Sequence, residues 1–303
     1  QTISNNVAIG FEALNLATTS TPNVAVGYRA LSSATTTGGG GGGRNNTAIG
    51  TEALTSCTTS LDNTAVGHRA LFSFTAGAAD AGGNIAIGHH SFSNLTTGIS
   101  NTGLGANSGS AGGLSGVTTG SFNTFLGAAA GQNYTAAESS NILIGSGTVG
   151  TVGESNTTRI GISTGAGDQQ QNRCFITGIR GITTSVVNAI PVLIDSANQL
   201  GTVSSSARYK DNIQDMGEES SPVMDLRPVT FTYKTDEQKR TQYGLIAEEV
   251  ENVMPRLVVY DEDGLPQSVR YHDLPQILLN ELKKLEKRVA HLERIHESCK
   301  HIC

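Results

Sequence analysis

The chain has 303 residues, a net charge of −6, 37 glycines, no tryptophan and only 5% aromatic residues. That length allows two domains, but so few large side chains argue against an ordinary compact globule and for a repeat or an obligate oligomer sharing its core between chains. The charge collects in no long run and no apolar stretch approaches the roughly 20 residues that span a bilayer, so nucleic-acid binding and membrane insertion are not expected.

Residues 6–161 carry an irregular repeat, Asn-x-(Ala or similar)-(Ile/Val/Leu)-Gly. It runs Asn6-Val7-Ala8-Ile9-Gly10, Asn23-Val24-Ala25-Val26-Gly27, Asn46-Thr47-Ala48-Ile49-Gly50 and Asn63-Thr64-Ala65-Val66-Gly67. It returns at Asn84–Gly88, Asn101–Gly105, Asn123–Gly127 and Asn141–Gly145, then loosely at Asn156–Gly161. Spacings alternate between about 17 and about 21–23 residues before shortening at the end, a period that marks a solenoid or stacked array. Each x-Ala-Ile segment reads as a short strand, with Gly where the chain turns and Asn satisfying turn backbone. A second apolar pair follows (Ala13-Leu14, Ala30-Leu31, Ala53-Leu54, Ala70-Leu71) and reads as capping the coil. Thr/Ser/Gly-rich links, including Gly38–Gly43, read as surface loops.

Strands this short are expected to bury little within a single chain. Ile9, Val26, Ile49, Val66, Ile87, Leu104, Leu126 and Ile144 are therefore expected to form one inward column around a shared three-chain interior. The units resemble the head repeats of trimeric autotransporter adhesins, which implies a parallel β-roll shared by three chains. Similar repeats occur in phage tail fibres.

His68, His89 and His90 follow repeat glycines, and without carboxylates at fixed spacing they read as surface decoration, so no metal and no cofactor is expected. Cys57, Cys174, Cys299 and Cys303 lack CxxC spacing and read as reduced thiols of a protein made in cytoplasm. Gln1 in place of an initiator Met reads as a fragment, so export is not legible from that end.

Residues 174–204 contain three short β-rich runs with turns at Gly178, Gly181 and Ser196-Ala197-Asn198, and read as a stem. Composition then changes. Residues 1–204 hold six Arg, no Lys and eight acids, leaving 14 of the 20 Lys+Arg and 18 of the 26 Asp+Glu for the last 99 residues. The boundary is Ser204-Ser205-Ser206-Ala207-Arg208-Tyr209-Lys210-Asp211-Asn212-Ile213, and a serine cluster followed by the first lysine suggests self-cleavage between a product and its folding helper.

Beyond it the pattern is α/β. Pro228–Tyr233 alternates like a strand, Tyr243–Val250 runs from strand into helix, and Leu257–Tyr260 with Gln267–Tyr271 flanks a turn at Asp261–Gly264 as a hairpin. From Leu274 a helix places Leu278, Leu282, Leu285, Val289 and Leu292 alternately four and three apart, a heptad seam read as a parallel trimeric coil.

The segments Ser205–Ile213, Tyr243–Val250 and Val269-Arg270-Tyr271, with the Leu-rich helix, resemble the endosialidase-type intramolecular chaperone domain of phage tailspikes and tail fibres. The resemblance implies trimerisation, templated folding of the upstream fibre, and release of the chaperone by a Ser-Lys dyad. Carried over by position, Ser205 is the nucleophile, Lys210 the base and Ser204–Ser205 the scissile bond. Spacing alone does not select that pair. On a helix i and i+5 diverge by about 140°, whereas Ser206 and Lys210 at i and i+4 share a face, so a bend or a Lys210 from another subunit is required.

The expected architecture is mainly β: a trimeric parallel β-roll over 1–161, a β-rich stem over 162–204, an α/β chaperone domain over 205–275, and a coiled-coil helix and tail over 276–303. The expected function is a structural homotrimer, a virion tail fibre assembled in the host cytoplasm that meets a host-surface glycan or protein receptor. The alternative is an adhesin on a bacterial cell surface. No metabolic active site is expected.

Overall fold

The computed structural model describes residues 5–17, 22–34, 43–75, 81–111, 115–162, 174–177, 179–196, 199–261 and 263–300. Gly38–Gly42 of the glycine run, the expected turns at Gly178 and Ala197-Asn198, and Cys303 lie outside them. The chain divides into two compact units, residues 1–182 and 183–303.

The first unit is a parallel β-solenoid. Each repeat contributes one strand of three or four residues: β1 (Val7–Ile9), β2 (Asn23–Val26), β3 (Asn46–Ile49), β4 (Thr64–Val66), β5 (Ile85–Ile87) and β6 (Thr102–Leu104). A two-residue hairpin, β7 (Ser110–Ala111) and β8 (Ser115–Gly116), interrupts the series before β9 (Thr124–Leu126), β10 (Ile142–Ile144) and β11 (Thr158–Ile160). The nine repeat strands form a single sheet in chain order, every pair parallel, with motif residues facing motif residues. The loose ninth copy also gains a register: Thr157, rather than Asn156, stands in the Asn column.

Two main-chain facts hold that register. The motif asparagines from Asn23 to Asn141 are buried, and along the column each backbone N–H donates to the Oδ1 of the preceding asparagine, from Asn23 on Asn6 through Thr157 on Asn141, at 2.7–3.0 Å. The side-chain Nδ2 groups donate to link carbonyls such as Gly98 O and Gly120 O, so these amides satisfy both the ladder and the loops. The motif glycines from Gly10 to Gly145 sit at φ between +125° and +139°, and at Gly88 an added Cβ would lie 2.5 Å from the carbonyl oxygen of Gly105. Only glycine fits both the dihedral and the approach.

The core corrects the expected inward column. Ile9, Val26, Ile49, Val66, Ile87, Leu104, Leu126 and Ile144 do line up in register, but on the face turned away from the chain's own interior; Ile9 is 60% exposed and Leu104 48%. The inward strand column is Ala25, Ala48, Ala65, Ala86, Gly103, Phe125 and Leu143. Side chains alternate across a strand, so Ala and Ile cannot share a face, and this coil is too thin for two large layers. The opposing layer takes the bulk, with Leu31, Leu54, Leu71, Phe74 and Phe92 fully buried. Where that layer shrinks, the strand layer grows: Gly103 faces the Phe92 ring, while Phe125 packs on Gly131. The solenoid thus has a private core within one chain, contrary to the expectation that three were needed to form any interior.

Residues 174–177 and 179–182 form no strand, so the first expected β-run of the stem is absent there. In the second unit β12 (Leu193–Ile194) and β13 (Leu200–Gly201) pair antiparallel. Beyond the serines come 3-10 turns over Ala207–Tyr209 and Gly217–Asp225, then the antiparallel pair β14 (Val229–Phe231) and β15 (Gln242–Gly244). Helix α1 (Ala247–Val253), hairpin β16 (Val258–Tyr260) and β17 (Pro266–Val269), and helix α2 (Leu274–Lys300) complete the chain. A small core of Val223, Val250, Leu257, Val258, Val269 and Ile277 joins these elements.

Candidate functional site

Ser204 and Ser205 lie outside any helix or strand, Ser206 is extended, and the chain then tightens into the Ala207–Tyr209 turn. Ser206 is its N-cap: its Oγ accepts from Arg208 N at 3.3 Å and from Arg208 Nε at 3.2 Å. Lys210 leaves the turn in extended geometry, at φ −130° and ψ 132°. No helix runs through the segment, so the facing of Ser206 and Lys210 expected of an α-helix does not arise. Ser206 is instead occupied as a cap. Ser205 and Lys210 are both exposed, and within the single chain neither side chain makes a hydrogen bond or an ion pair among the described residues.

A different serine and lysine do meet. Lys284 Nζ donates to Ser221 Oγ at 2.9 Å, but it also lies 2.9 Å from Glu218 and 2.8 Å from Glu281. Glu281 foremost, then Glu218, hold the Lys284 ammonium above its ordinary pKa, so its proton stays on and this pair is not a base and nucleophile. The network is structural. Buried Ser220 donates to Glu281, and Asn280 Nδ2 donates to Ser220 Oγ at 2.6 Å and to Gly217 O at 2.9 Å, fastening the Gly217–Asp225 turn to α2.

The other motif segments converge. Tyr271 accepts on its hydroxyl from Leu245 N at 2.8 Å, tying the hairpin to the strand-helix segment Tyr243–Val250, while Val250 and Val269 share the core. Arg270 pairs with Asp273 at 2.9 Å at the start of α2. The heptad positions of α2 face solvent: Leu278 50%, Leu282 62%, Leu285 56%, Val289 45% and Leu292 56% exposed.

Apolar exposure is heaviest just before the serines. Between Cys174 and Val203 every described residue is exposed except Leu193, which is half-buried; Phe175 is 85% exposed and Val187 fully so. Of the cysteines, Cys57 is buried with Sγ 2.7 Å from Ser60 Oγ, whereas Cys174 and Cys299 are exposed free thiols. His68, His89 and His90, from two adjacent solenoid turns, come together, their ring centroids 4.2–5.2 Å apart. Nothing in the residue spacing announced that meeting; the strand register makes it.

Residues 205–259 match the family model described as chaperone of endosialidase. No curated protein matches the chain, and no solved structure does.

Proposed function

We propose that the chain is a homotrimeric fibre whose second unit is an intramolecular chaperone, released after assembly by cleavage between Ser204 and Ser205. The observation that carries this reading is the family match, which begins at Ser205, the first residue of the proposed released fragment. Three apolar surfaces left unpartnered in one chain support trimerisation: the outer face of the repeat sheet, the stem, and the α2 seam. Burial of such surface contributes about 25 cal/mol per Å², and parallel self-association aligns like surfaces around a common axis.

In this mechanism Lys210 takes the proton of Ser205, and Oγ attacks the carbonyl carbon of Ser204. The amide nitrogen of Ser205 leaves as an amine, and water hydrolyses the resulting ester. A lysine acts as a base only with its amine neutral, which requires burial or neighbouring cations. Lys210 is exposed in the isolated chain. The covering surface must therefore come from a second protomer, which makes cleavage follow assembly. The remaining fibre serves host attachment on a virion, through a glycan or protein receptor.

Intact mass and N-terminal sequencing after expression test the reading. Wild-type protein should yield a fragment beginning at Ser205, while Ser205→Ala and Lys210→Ala stay whole, folded and trimeric. A start at Ser206 would reassign the nucleophile, and a wild-type chain that assembles and remains uncut would reduce the second unit to a trimerisation cap.

A further inference from the structure

We propose that His68, His89 and His90 form a cross-turn binding site for a divalent first-row transition cation of the nickel and zinc class. The site follows from register. Backbone N–H groups two residues past each motif glycine donate to the carbonyl one residue past the glycine of the preceding turn: Arg29 to Phe11, Arg69 to Thr51, His90 to His68 and Asn107 to His89. Two columns therefore run side by side along the solenoid. On earlier turns members of the columns pair with one another. Phe11 stacks on Tyr28 with centroids 5.8 Å apart, Glu12 pairs with Arg29 at 2.7 Å, and Glu52 pairs with Arg69 at 2.6 Å.

Among the described residues, imidazoles occur in these columns only after the fourth and fifth strands, His68 and His89 in one and His90 in the other. His68 stacks on His89 with centroids 5.2 Å apart, and His90 closes the triangle from the adjoining column. One ring nitrogen from each lies within 4.8 Å of the other two. Metal–imidazole bonds of about 2.0–2.1 Å place ligand nitrogens about 3.3 Å apart, and rotation of the exposed His68 and His89 rings closes that difference. His90 is the anchored member: it is half-buried, and the N–H of its backbone is held on His68 O at 2.9 Å. Burial foremost, then the neighbouring His89, His68 and Arg69, hold its imidazole below the usual pKa, in the neutral form that coordinates. The nearest cation, Arg69, is engaged by Glu52. A bound ion would staple the turn of β4 to that of β5 and leave its remaining positions to water.

Replacements can be copied from the same columns of neighbouring turns, so the fold is kept: His68→Thr after Thr51, His89→Ala after Ala106, and His90→Asn after Asn107, which holds the same positive φ of 57°. Nickel is the probe because imidazole suits it, and the triple variant, which keeps His296 and Cys299, separates this site from the end of α2. Calorimetric titration of the full-length protein with Ni²⁺ should show one site per chain that the triple variant lacks. Each single replacement should weaken binding by about tenfold or more, since losing even an outer-shell partner of a metal costs about 10–100-fold. Ni²⁺ should also slow hydrogen exchange across residues 84–90 in the wild type and not in the triple variant. Equal Ni²⁺ binding by wild type and triple variant would overturn the proposal. So would binding that survives His68→Thr, because the vicinal pair alone would then be the ligand.

Discussion

At the residue scale the repeat is governed by two side chains that do opposite things. Asparagine supplies a buried amide that bonds in two directions: Asn84 Oδ1 accepts from both Asn101 N and Asn101 Nδ2, while its own Nδ2 reaches Gly98 O at 3.0 Å. Asn84→Ala should destabilise the solenoid by about 3 kcal/mol, because it strands several buried donors and acceptors at once. Glycine contributes by having no side chain, and Gly88→Ala should be worse than Asn84→Ala in a thermal melt, as it meets backbone that cannot move aside. The motif spelled out both positions, yet asparagine read only as a turn former. A hydrogen-bond ladder between repeats is invisible until the register is known. The inward column was misread for a similar reason. Hydrophobicity favours hiding the larger residue of Ala-Ile, whereas the space inside is decided by Leu54, Leu71 and Phe92 arriving from the opposite wall.

At the element scale the turns are not equally robust. The last one is closed by charge: Arg159 holds Glu154 through Nε at 3.0 Å and a second nitrogen at 2.6 Å, and Tyr134 donates to the same carboxylate at 2.6 Å. The Arg159 hydrogen bonds foremost, with Tyr134 aiding and burial opposing, bring the Glu154 carboxyl down from 4.5 to about 2. A depressed carboxylate pKa stabilises above the unfolded value and is lost as pH falls through the folded one. Hydrogen exchange in β10 and β11 should therefore accelerate between about pH 4.5 and 2 before the rest of the solenoid responds, and Glu154→Gln should remove that step. The seam of α2 makes the other prediction at this scale. Leu282→Asp with Leu285→Asp should convert a trimer to a monomer by light scattering, with the small core around Val250 intact by circular dichroism, since neither leucine belongs to it. The helix, its heptads and both hairpin segments were legible because periodicity and turn residues are local signals. The failure of the first stem run to form a strand was not, since β-pairing needs a partner that local sequence does not name.

At the scale of the whole molecule, the arrangement of exposed apolar surface separates what folds alone from what requires company. The solenoid interior is complete in one chain, whereas the described residues between 174 and 203 bury almost nothing. Mild oxidation of a Cys303→Ser variant should link Cys299 of two protomers, leaving a third unpaired, if the α2 helices run parallel and in register; Cys299 continues the spacing of the seam and is exposed. A two-to-one ratio of linked to unlinked chains on a non-reducing gel checks this, and a fully monomeric pattern would speak against it. The family match over residues 205–259 takes in Val223, Val250, Leu257 and Val258 of the small core and stops short of Val269 and Ile277. The proposed dyad stayed open, because Ser205 and Lys210 stand exposed in one chain and their spacing alone does not pair them.

The parallel register has one more consequence. Successive motif asparagines are separated by 17, 23, 17, 21, 17, 22 and 18 residues, yet each strand meets the next at the same atoms. The ladder counts turns and is indifferent to how much chain lies between them. Links can therefore lengthen, shorten or be exchanged by recombination, and whole turns can be duplicated or dropped, without disturbing their neighbours. Such a scaffold uncouples the length and content of its links from the geometry of its spine.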